Sequence, residues 1–392
     1  MSAQAKQGSI TRVNVRLAKD APLEYEIEIG EDLLETVGDK ARRVLTPHAR
    51  RAFIISNQKV YKLYGACVRE SLRRSDFNVE VLLIGDGERY KSFRTLESAL
   101  VALQVAKMER SDLVVALGGG VVGDLAGLAA ALYLRGLAFL QIPTTLLAQI
   151  DSSVGGKTAV NTPHGKNSIG AFHHPRAVVV DTTTLKTLPT RELTAGWCEA
   201  IKQGAIGGRQ LFDATQRFLR DEQNASVNAK DRAKRLRELI AAQCALKASV
   251  VAGDEREQLE RTDASSRRIL NFGHTTGHAL EAVTAYKTFR HGEAVGYGML
   301  VAGELSVRTG LCDKVELESL RAAVALAGKL PRADNLDEKL ILRATVTDKK
   351  SVGGEIKWVL LEKIGSAKIV SNNEIPARIL RASLRAGLRQ IS

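Results

Sequence analysis

Residues 112–132 read DLVVALGGGVVGDLAGLAAAL, and this stretch decides the fold class. Leu113 to Leu117 form a short, wholly apolar run, the pattern of a strand buried on both faces. Gly118, Gly120 and Gly123 then satisfy G-x-G-x-x-G, and Asp124 opens a strongly apolar helical pattern. Strand, glycine turn and helix in this order let the backbone approach a pyrophosphate, whose charge the free amides and the helix dipole favour. The motif alone is weak, because the same turn also serves simply to pack a strand on a helix. It stands third among the strands, and no acidic residue follows about 20 positions later to read a ribose, so the strand order departs from the commonest Rossmann arrangement.

Outward from it, RAFIIS (51–56), VEVLLIG (79–85), FLQIP (139–143) and AVVVD (177–181) are further β-rich runs. They alternate with helical patterns such as FRTLESALVALQVAKM (93–108) and GDLAGLAAALYLRG (123–136). The alternation predicts an α/β fold: an N-terminal Rossmann-like, doubly wound parallel sheet with ligands at the strands' C-terminal ends. After Leu188-Pro189 the texture becomes helix-periodic, as in RELTAGWCEAIKQGAI (191–206), residues 231–257 and TTGHALEAVTAY (275–286). Strand character returns in IKWVLLE (356–362) and AKIVSN (367–372), which predict one hairpin. At 392 residues the chain exceeds one ordinary core, so two domains are expected, 1–185 and a mainly α-helical 186–392, with a cleft between them as the default site.

Hydrophobic residues at 44% and charged residues at 26% fit a globular protein. A net charge of +13 suits nucleic acid, a membrane surface or a small anionic substrate equally. The basic residues are spread along the chain without aromatics for base stacking. The local group Lys230, Arg232, Lys234, Arg235 and Arg237 reads as a solvated helix face. No nucleic-acid partner is expected. There is no run of about 18 apolar residues, and the start MSAQAKQGSITRVNVRL lacks a signal-peptide core, so no membrane partner and a cytoplasmic location are expected. Cys67, Cys198, Cys244 and Cys312 are scattered without a C-x-x-C pair and read as reduced, mostly buried thiols.

Two polar clusters carry the candidate chemistry. Pro143-Thr144-Thr145 leads to Asp151-Ser152-Ser153-Val154-Gly155-Gly156-Lys157 and then Lys166-Asn167, a long polar loop on the ligand side of the sheet. Its hydroxyls, amides and lysines suit a phosphate or a nicotinamide amide, and Asp151 suits a hydroxyl. Asp86, Gly87, Glu88 and Lys91 follow an earlier strand and fit either ribose contacts or a surface turn. Three of seven histidines, His274, His278 and His291, lie within 18 residues, and Glu199 stands on a preceding helical segment beside Lys202. His274 and His278 share a helix face, so spacing nominates both as metal ligands with Glu199 or His291 completing the set. Imidazole and carboxylate suit Zn(II), and three protein ligands leave positions open for substrate oxygens.

The motifs GGGVVGDLAGLAAALYLRG, IPTTLLAQIDSSVGGKTAVN, GKNSIGAFHHP, NFGHTTGHALE and RHGEAVGYGM together resemble the 3-dehydroquinate synthases, a sugar phosphate cyclase family, over most of 80–355. The resemblance implies a homodimeric shikimate-pathway enzyme that uses NAD and one divalent metal, zinc or cobalt. It would convert a phosphorylated sugar acid, 3-deoxy-D-arabino-heptulosonate 7-phosphate, to 3-dehydroquinate. The implied steps are oxidation of a secondary alcohol by NAD, phosphate elimination, reduction back, ring opening and internal aldol closure. By the same matching Glu199, His274 and His291 hold the metal, and His278 faces substrate, which replaces the spacing-based choice. NAD contacts fall on Asp86, Gly87, Glu88, Arg89, Tyr90, Lys91, Gly120, Val121, Val122, Gly123, Asp124, Thr144, Thr145, Lys157, Lys166, Thr184, Leu185, Lys186 and Thr187. Asp151 sits near the reacting hydroxyl. Substrate contacts fall on Arg135, Asn167, Lys202, Lys247, Arg267, Asn271, His278 and Lys350, whose lysines and arginines suit a carboxylate and a phosphate.

The chain departs from the family pattern in residues 258–270, QLERTDASSRRIL, about six residues longer than usual, which leaves Arg268 as an alternative to Arg267. These polar extra residues are expected to bulge outward as a surface loop. Three other functions compete. A sibling cyclase making a valiolone-type product would depart from this pattern at Asn271 and His278. A metal-dependent polyol dehydrogenase would not need this set of lysines. A non-catalytic nucleotide-binding paralogue would not keep Asp151, Lys157, Glu199, Lys202 and the histidines together.

Overall fold

The computed structural model describes residues 11–15, 24–163, 165–224, 228–258, 260–263, 265–347 and 356–389. Its strands are β1 (Thr11–Val15), β2 (Tyr25–Gly30), β3 (Arg51–Asn57), β4 (Asn78–Ile84), β5 (Leu113–Gly118), β6 (Ala138–Pro143), β7 (Lys157–Thr162), β8 (Gly165–Phe172), β9 (Ala177–Asp181), β10 (Lys357–Lys363) and β11 (Ser366–Ser371). The five expected strands of the first half form, as β3, β4, β5, β6 and β9. The chain groups into two compact units, Met1–Leu188 with Leu236–Ala248, and Pro189–Arg235 with Ser249–Ser392.

In the first unit seven strands form one sheet in the order β1-β2-β9-β6-β5-β3-β4. All neighbouring pairs are parallel except β1 with β2. From β3 the chain winds outward to β4, then returns to the other side of β3 with β5 and continues to β6 and β9. The winding direction therefore reverses between β3 and β5, and the crevice at their C-terminal ends is where such sheets take ligands. Both faces of the central strands are apolar. Phe53, Ile55, Val114 and Ala116 pack with Leu125 and Leu96 on one side, whereas Ala52, Ile54, Val115 and Leu117 pack with Val37, Val68 and Leu72 on the other. Helices cover each face, which is the expected double winding.

Two features depart from expectation. The polar segment after β6 is not one long loop: Lys157–Thr162 and Gly165–Phe172 pair antiparallel as the hairpin β7-β8. The antiparallel edge pair β1-β2 was not anticipated either; Glu28 on β2 is buried because Lys40 pairs with it at 3.1 Å.

The second unit is mainly helical, with helices Thr190–Gly207, Arg209–Asn224, His274–Val283, His291–Arg308, Lys314–Ala327, Glu338–Thr347 and Ala377–Leu388. Its centre is the helix His291–Arg308, buried from Gly292 through Ser306, as a helix apolar on all sides must be. The hairpin β10-β11 forms as expected, and Ser306 Oγ accepts the Leu361 N–H at 2.9 Å. Among the described residues no helix is long and apolar enough to cross a membrane. Lys230, Arg232, Lys234 and Arg235 are exposed as expected, but Arg237 is buried. All four cysteines are free; Cys198, Cys244 and Cys312 are buried, and burial pushes the Cys244 thiol up to about 12.

Candidate functional site

In the first unit β5 ends at Gly118, and the helix Gly120–Leu132 begins two residues later. A Cβ on Gly118 would lie 2.7 Å from Val122 Cγ2, so only glycine lets the chain turn this tightly into the helix. A Cβ on Gly120 would come 3.1 Å from Ser152 Oγ, so the first helical turn and the segment after β6 approach each other closely. The turn leads into the positive end of a 13-residue helix, and the first amides of a helix lack intrahelical partners, which fits a pyrophosphate.

Around this turn the chain gathers several of the other nominated residues of the first unit. The hairpin β7-β8 is stitched to the turn after β4: Asn161 Nδ2 donates to Glu88 Oε1 at 2.8 Å, Asn161 N–H to the Lys91 carbonyl at 2.8 Å, and Asn167 N–H to Asn161 Oδ1 at 2.9 Å. Lys166 Nζ stands 3.7 Å from the same Glu88 oxygen. Lys91, buried, hydrogen-bonds both Asp124 and Asn167. Withdrawal from water raises the Asp124 carboxyl above its ordinary range, against the opposing pull of Lys91. Asp86 takes Lys59 Nζ at 2.6 Å and Asn57 Nδ2 at 3.4 Å. Asn57 and Lys59, at the end of β3, are residues that the sequence reading missed; their signal is position, at the point where the winding reverses.

Thr144 N–H donates to the Gly118 carbonyl at 3.0 Å, and Thr145 Oγ1 accepts from Ala148 N–H at 3.2 Å. Gln149 Nε2 donates to the Pro143 and Asp181 carbonyls at 3.2 and 3.1 Å and to Thr184 Oγ1 at 3.0 Å, tying the ends of β6 and β9 together. Leu185 is buried, Lys186 is exposed, and Thr187 hydrogen-bonds Tyr64. Lys247, on the helix Ala229–Gly253, forms an ion pair with Asp151 and donates to its carbonyl at 2.5 Å. Lys157 opens β7 and is exposed. Arg135 is not brought into this set. It follows the far end of the helix Gly120–Leu132, whose 13 residues separate it from the glycine turn by about 20 Å at about 1.5 Å per residue.

In the second unit Glu199 and Lys202 lie one turn apart on the helix Thr190–Gly207, both fully buried, with Lys202 Nζ 2.6 Å from Glu199 Oε2. Glu199 Oε1 is buried with no hydrogen-bond donor among the described residues. It faces His291 Nε2 at 3.5 Å and His274 Nε2 at 4.0 Å. Two ligands on about 2.1 Å bonds at a tetrahedral angle stand about 3.4 Å apart, so the spacing fits a Zn(II)-like ion. Burying a carboxylate oxygen is costly without a compensating partner, and a cation at this point would supply one beside Lys202. Nitrogens of His274, His278 and His291 also lie within 4.8 Å of one another, so all three imidazoles line one small volume. His274 Nδ1 meets the Phe272 carbonyl at 3.2 Å, and His291 Nδ1 meets Glu281 Oε2 at 3.0 Å.

Backbone packing makes this convergence possible. His291 opens its helix, and a Cβ on the next residue, Gly292, would stand 1.9 Å from the Ala195 carbonyl oxygen. Arg191 ties the same two helices together, donating to buried Glu293 at 2.6 and 2.7 Å, and that carboxylate holds the guanidinium's pKa above its usual value. Glu293 also accepts the Arg290 N–H at 2.6 Å.

Arg267 and Arg268 are both buried. Asp254 accepts the Arg267 N–H at 2.9 Å and the Gln258 N–H at 2.8 Å, so one carboxylate pins both ends of the longer segment. Arg267 Nη1 donates to the Glu255 carbonyl at 2.6 Å, and Asn271 Nδ2 donates to Glu257 Oε1 at 3.2 Å. Within the segment Gln258, Glu260, Thr262, Asp263 and Ser265 are exposed, the outward bulge expected of it. Lys350 lies outside the described residues.

Two family models match the chain. The model of the 3-dehydroquinate synthase N-terminal region matches residues 81–195, and that of the C-terminal region matches 196–351. A 3-dehydroquinate synthase of Pelotomaculum thermopropionicum is 43% identical over 378 residues, 96% of each chain. Among solved structures, 2-deoxy-scyllo-inosose synthase complexed with carbaglucose-6-phosphate, NAD+ and Co2+ has a TM-score of 0.81 at 25% identity, covering 96% of this chain and 100% of its own. The 2-epi-5-epi-valiolone synthase of Streptomyces hygroscopicus, with NAD+ and Zn2+ bound, has a TM-score of 0.79 at 27% identity, covering 92% of this chain and 95% of its own. Identity to the 3-dehydroquinate synthase relative is well above that to these two sibling cyclases, and it runs nearly end to end: the chain belongs to the 3-dehydroquinate synthase family.

Proposed function

We propose that the chain converts 3-deoxy-D-arabino-heptulosonate 7-phosphate to 3-dehydroquinate and phosphate, acting in the cytoplasm as a homodimer dependent on NAD and one divalent metal. The observation that carries this reading is the 43% identity to a 3-dehydroquinate synthase across 96% of both chains, against 25–27% for two cyclases with other products. NAD, when bound, takes up and returns the hydride, and the divalent metal polarises the oxygen on the carbon being oxidised.

The residues divide the remaining work. The glycine turn with Asp124, Lys91 and the segments Asp86 to Lys91, Thr144-Thr145, Lys157, Lys166 and Thr184 to Thr187 hold the dinucleotide. Glu199, His274 and His291 hold the metal. Asp151, ion-paired with Lys247, accepts from the hydroxyl that is oxidised. Lys202, Arg267, Asn271, His278, Asn167 and Lys350 bind the substrate, and the fixed lysine and arginine cations among them stabilise negative charge as it develops. The polyol dehydrogenase alternative has no use for so many cations.

The reading is tested by incubating the purified protein with NAD and the heptulosonate phosphate while following phosphate and NADH absorbance together. Phosphate release without lasting NADH, abolished by a chelator and restored by Zn(II) or Co(II), is the expected outcome. Sustained NADH without phosphate identifies a dehydrogenase instead, and inactivity here with turnover of a seven-carbon sibling phosphate identifies a different cyclase.

A further inference from the structure

We propose that Glu281 is a positioning residue for the metal ligand His291, and that it sets how tightly the metal is held. This rests on the metal reading of Glu199, His274 and His291. Glu281 lies on the helix His274–Val283, seven residues after His274 and three after His278, so all three side chains share one face. It is only 2% exposed, and a carboxylate so buried is costly unless a donor meets it. His291 Nδ1 is such a donor, 3.0 Å from Oε2.

A carboxylate only accepts, so the imidazole proton sits on Nδ1. Nε2 is left as a lone pair, and it is Nε2 that faces Glu199 Oε1 at 3.5 Å. His274 reaches the same tautomer by another route, with its Nδ1 against the Phe272 carbonyl at 3.2 Å. Both acceptors fix ring orientation, and of the two Glu281 is a carboxylate where Phe272 offers a backbone carbonyl. Such a partner behind a ligating histidine ordinarily governs affinity by 10–100-fold, on the order of what is expected here.

The experiment uses metal-free full-length protein, titrated with Co(II) against a competing chelator and read by the visible absorption of the bound ion. The parent, Glu281→Gln and Glu281→Ala are compared, with circular dichroism verifying the fold. One equivalent bound by the parent, about 10–100-fold weaker binding by Glu281→Ala and an intermediate loss in Glu281→Gln, which keeps an acceptor but no charge, are expected. If Glu281→Ala does not fold, the near-isosteric Glu281→Gln carries the test, and its weaker binding supports the proposal. Parent-like affinity in every folded variant, even with a lowered melting temperature, overturns it and leaves Glu281 a packing residue. A parent that binds no Co(II) overturns the metal reading itself, a different failure from the first.

Discussion

The convergence of His291 on Glu199 depends on a methyl group that is absent. Gly292→Ala would drive a Cβ to within 1.9 Å of the Ala195 carbonyl oxygen, a backbone atom that cannot rotate away, so the helices carrying His291 and Glu199 must part. We expect a loss of about 1–3 kcal/mol or more in chemical denaturation, together with weaker metal retention. Gly253→Ala, whose nearest foreign atom stands at 3.6 Å, serves as the control and should change stability by less than about 1 kcal/mol. An equal loss in both variants would remove the close approach as the cause. At this scale the histidines were legible because three of seven fall within 18 residues. Glu281 was not, because a glutamate three residues beyond a histidine reads as an ordinary polar position until its burial is known. Asn57 was hidden for a related reason: its role comes from standing where the winding reverses, and that depends on strand order.

Elements differ in how openly the sequence declares them. β3, β5, β6 and β9 could be read within a residue or two because strands covered on both faces must be continuous apolar runs. The hairpin β7-β8 could not. Its strands, KTAVNT and GKNSIGAF, are polar and glycine-containing, and their pairing is reinforced by contacts to Lys91 and Glu88 far away in sequence. The segment after Asp254 illustrates the reverse case, in which a long loop is mechanically isolated. Asp254 receives amides from both Gln258 and Arg267, so what lies between them is closed off at its base. Deleting residues 259–264 should leave kcat/KM within about threefold of the parent, since loop length itself costs little. Asp254→Ala should instead raise KM, through Arg267, more than it lowers kcat. A deletion that abolishes substrate affinity would mean the exposed residues act directly.

For the whole molecule, the shift to helical texture near residue 188 is plain in the sequence, but the return of Leu236–Ala248 to the first unit is not. Nothing in residues 231–257 interrupts the helical period, because the helix Ala229–Gly253 is continuous and only its company changes along its length. A fragment of residues 1–188 therefore lacks Lys247, the partner of Asp151, and also Leu239, Ile240 and Cys244, which are buried in the intact chain. We expect that fragment to be cleaved much faster by limited proteolysis than a fragment ending at residue 253, and equal resistance would contradict the grouping.

The consequence reaches past folding to the ways such a chain can be rearranged. A protein whose halves meet at one boundary can be recombined by a single crossover, with each parent's half arriving complete. Here a single crossover near residue 188 would give the first unit a foreign Lys247 helix, so Asp151 and its counter-ion would descend from different ancestors. Viable chimeras with relatives would need two exchanges, so that residues 1–188 and 236–248 are inherited together.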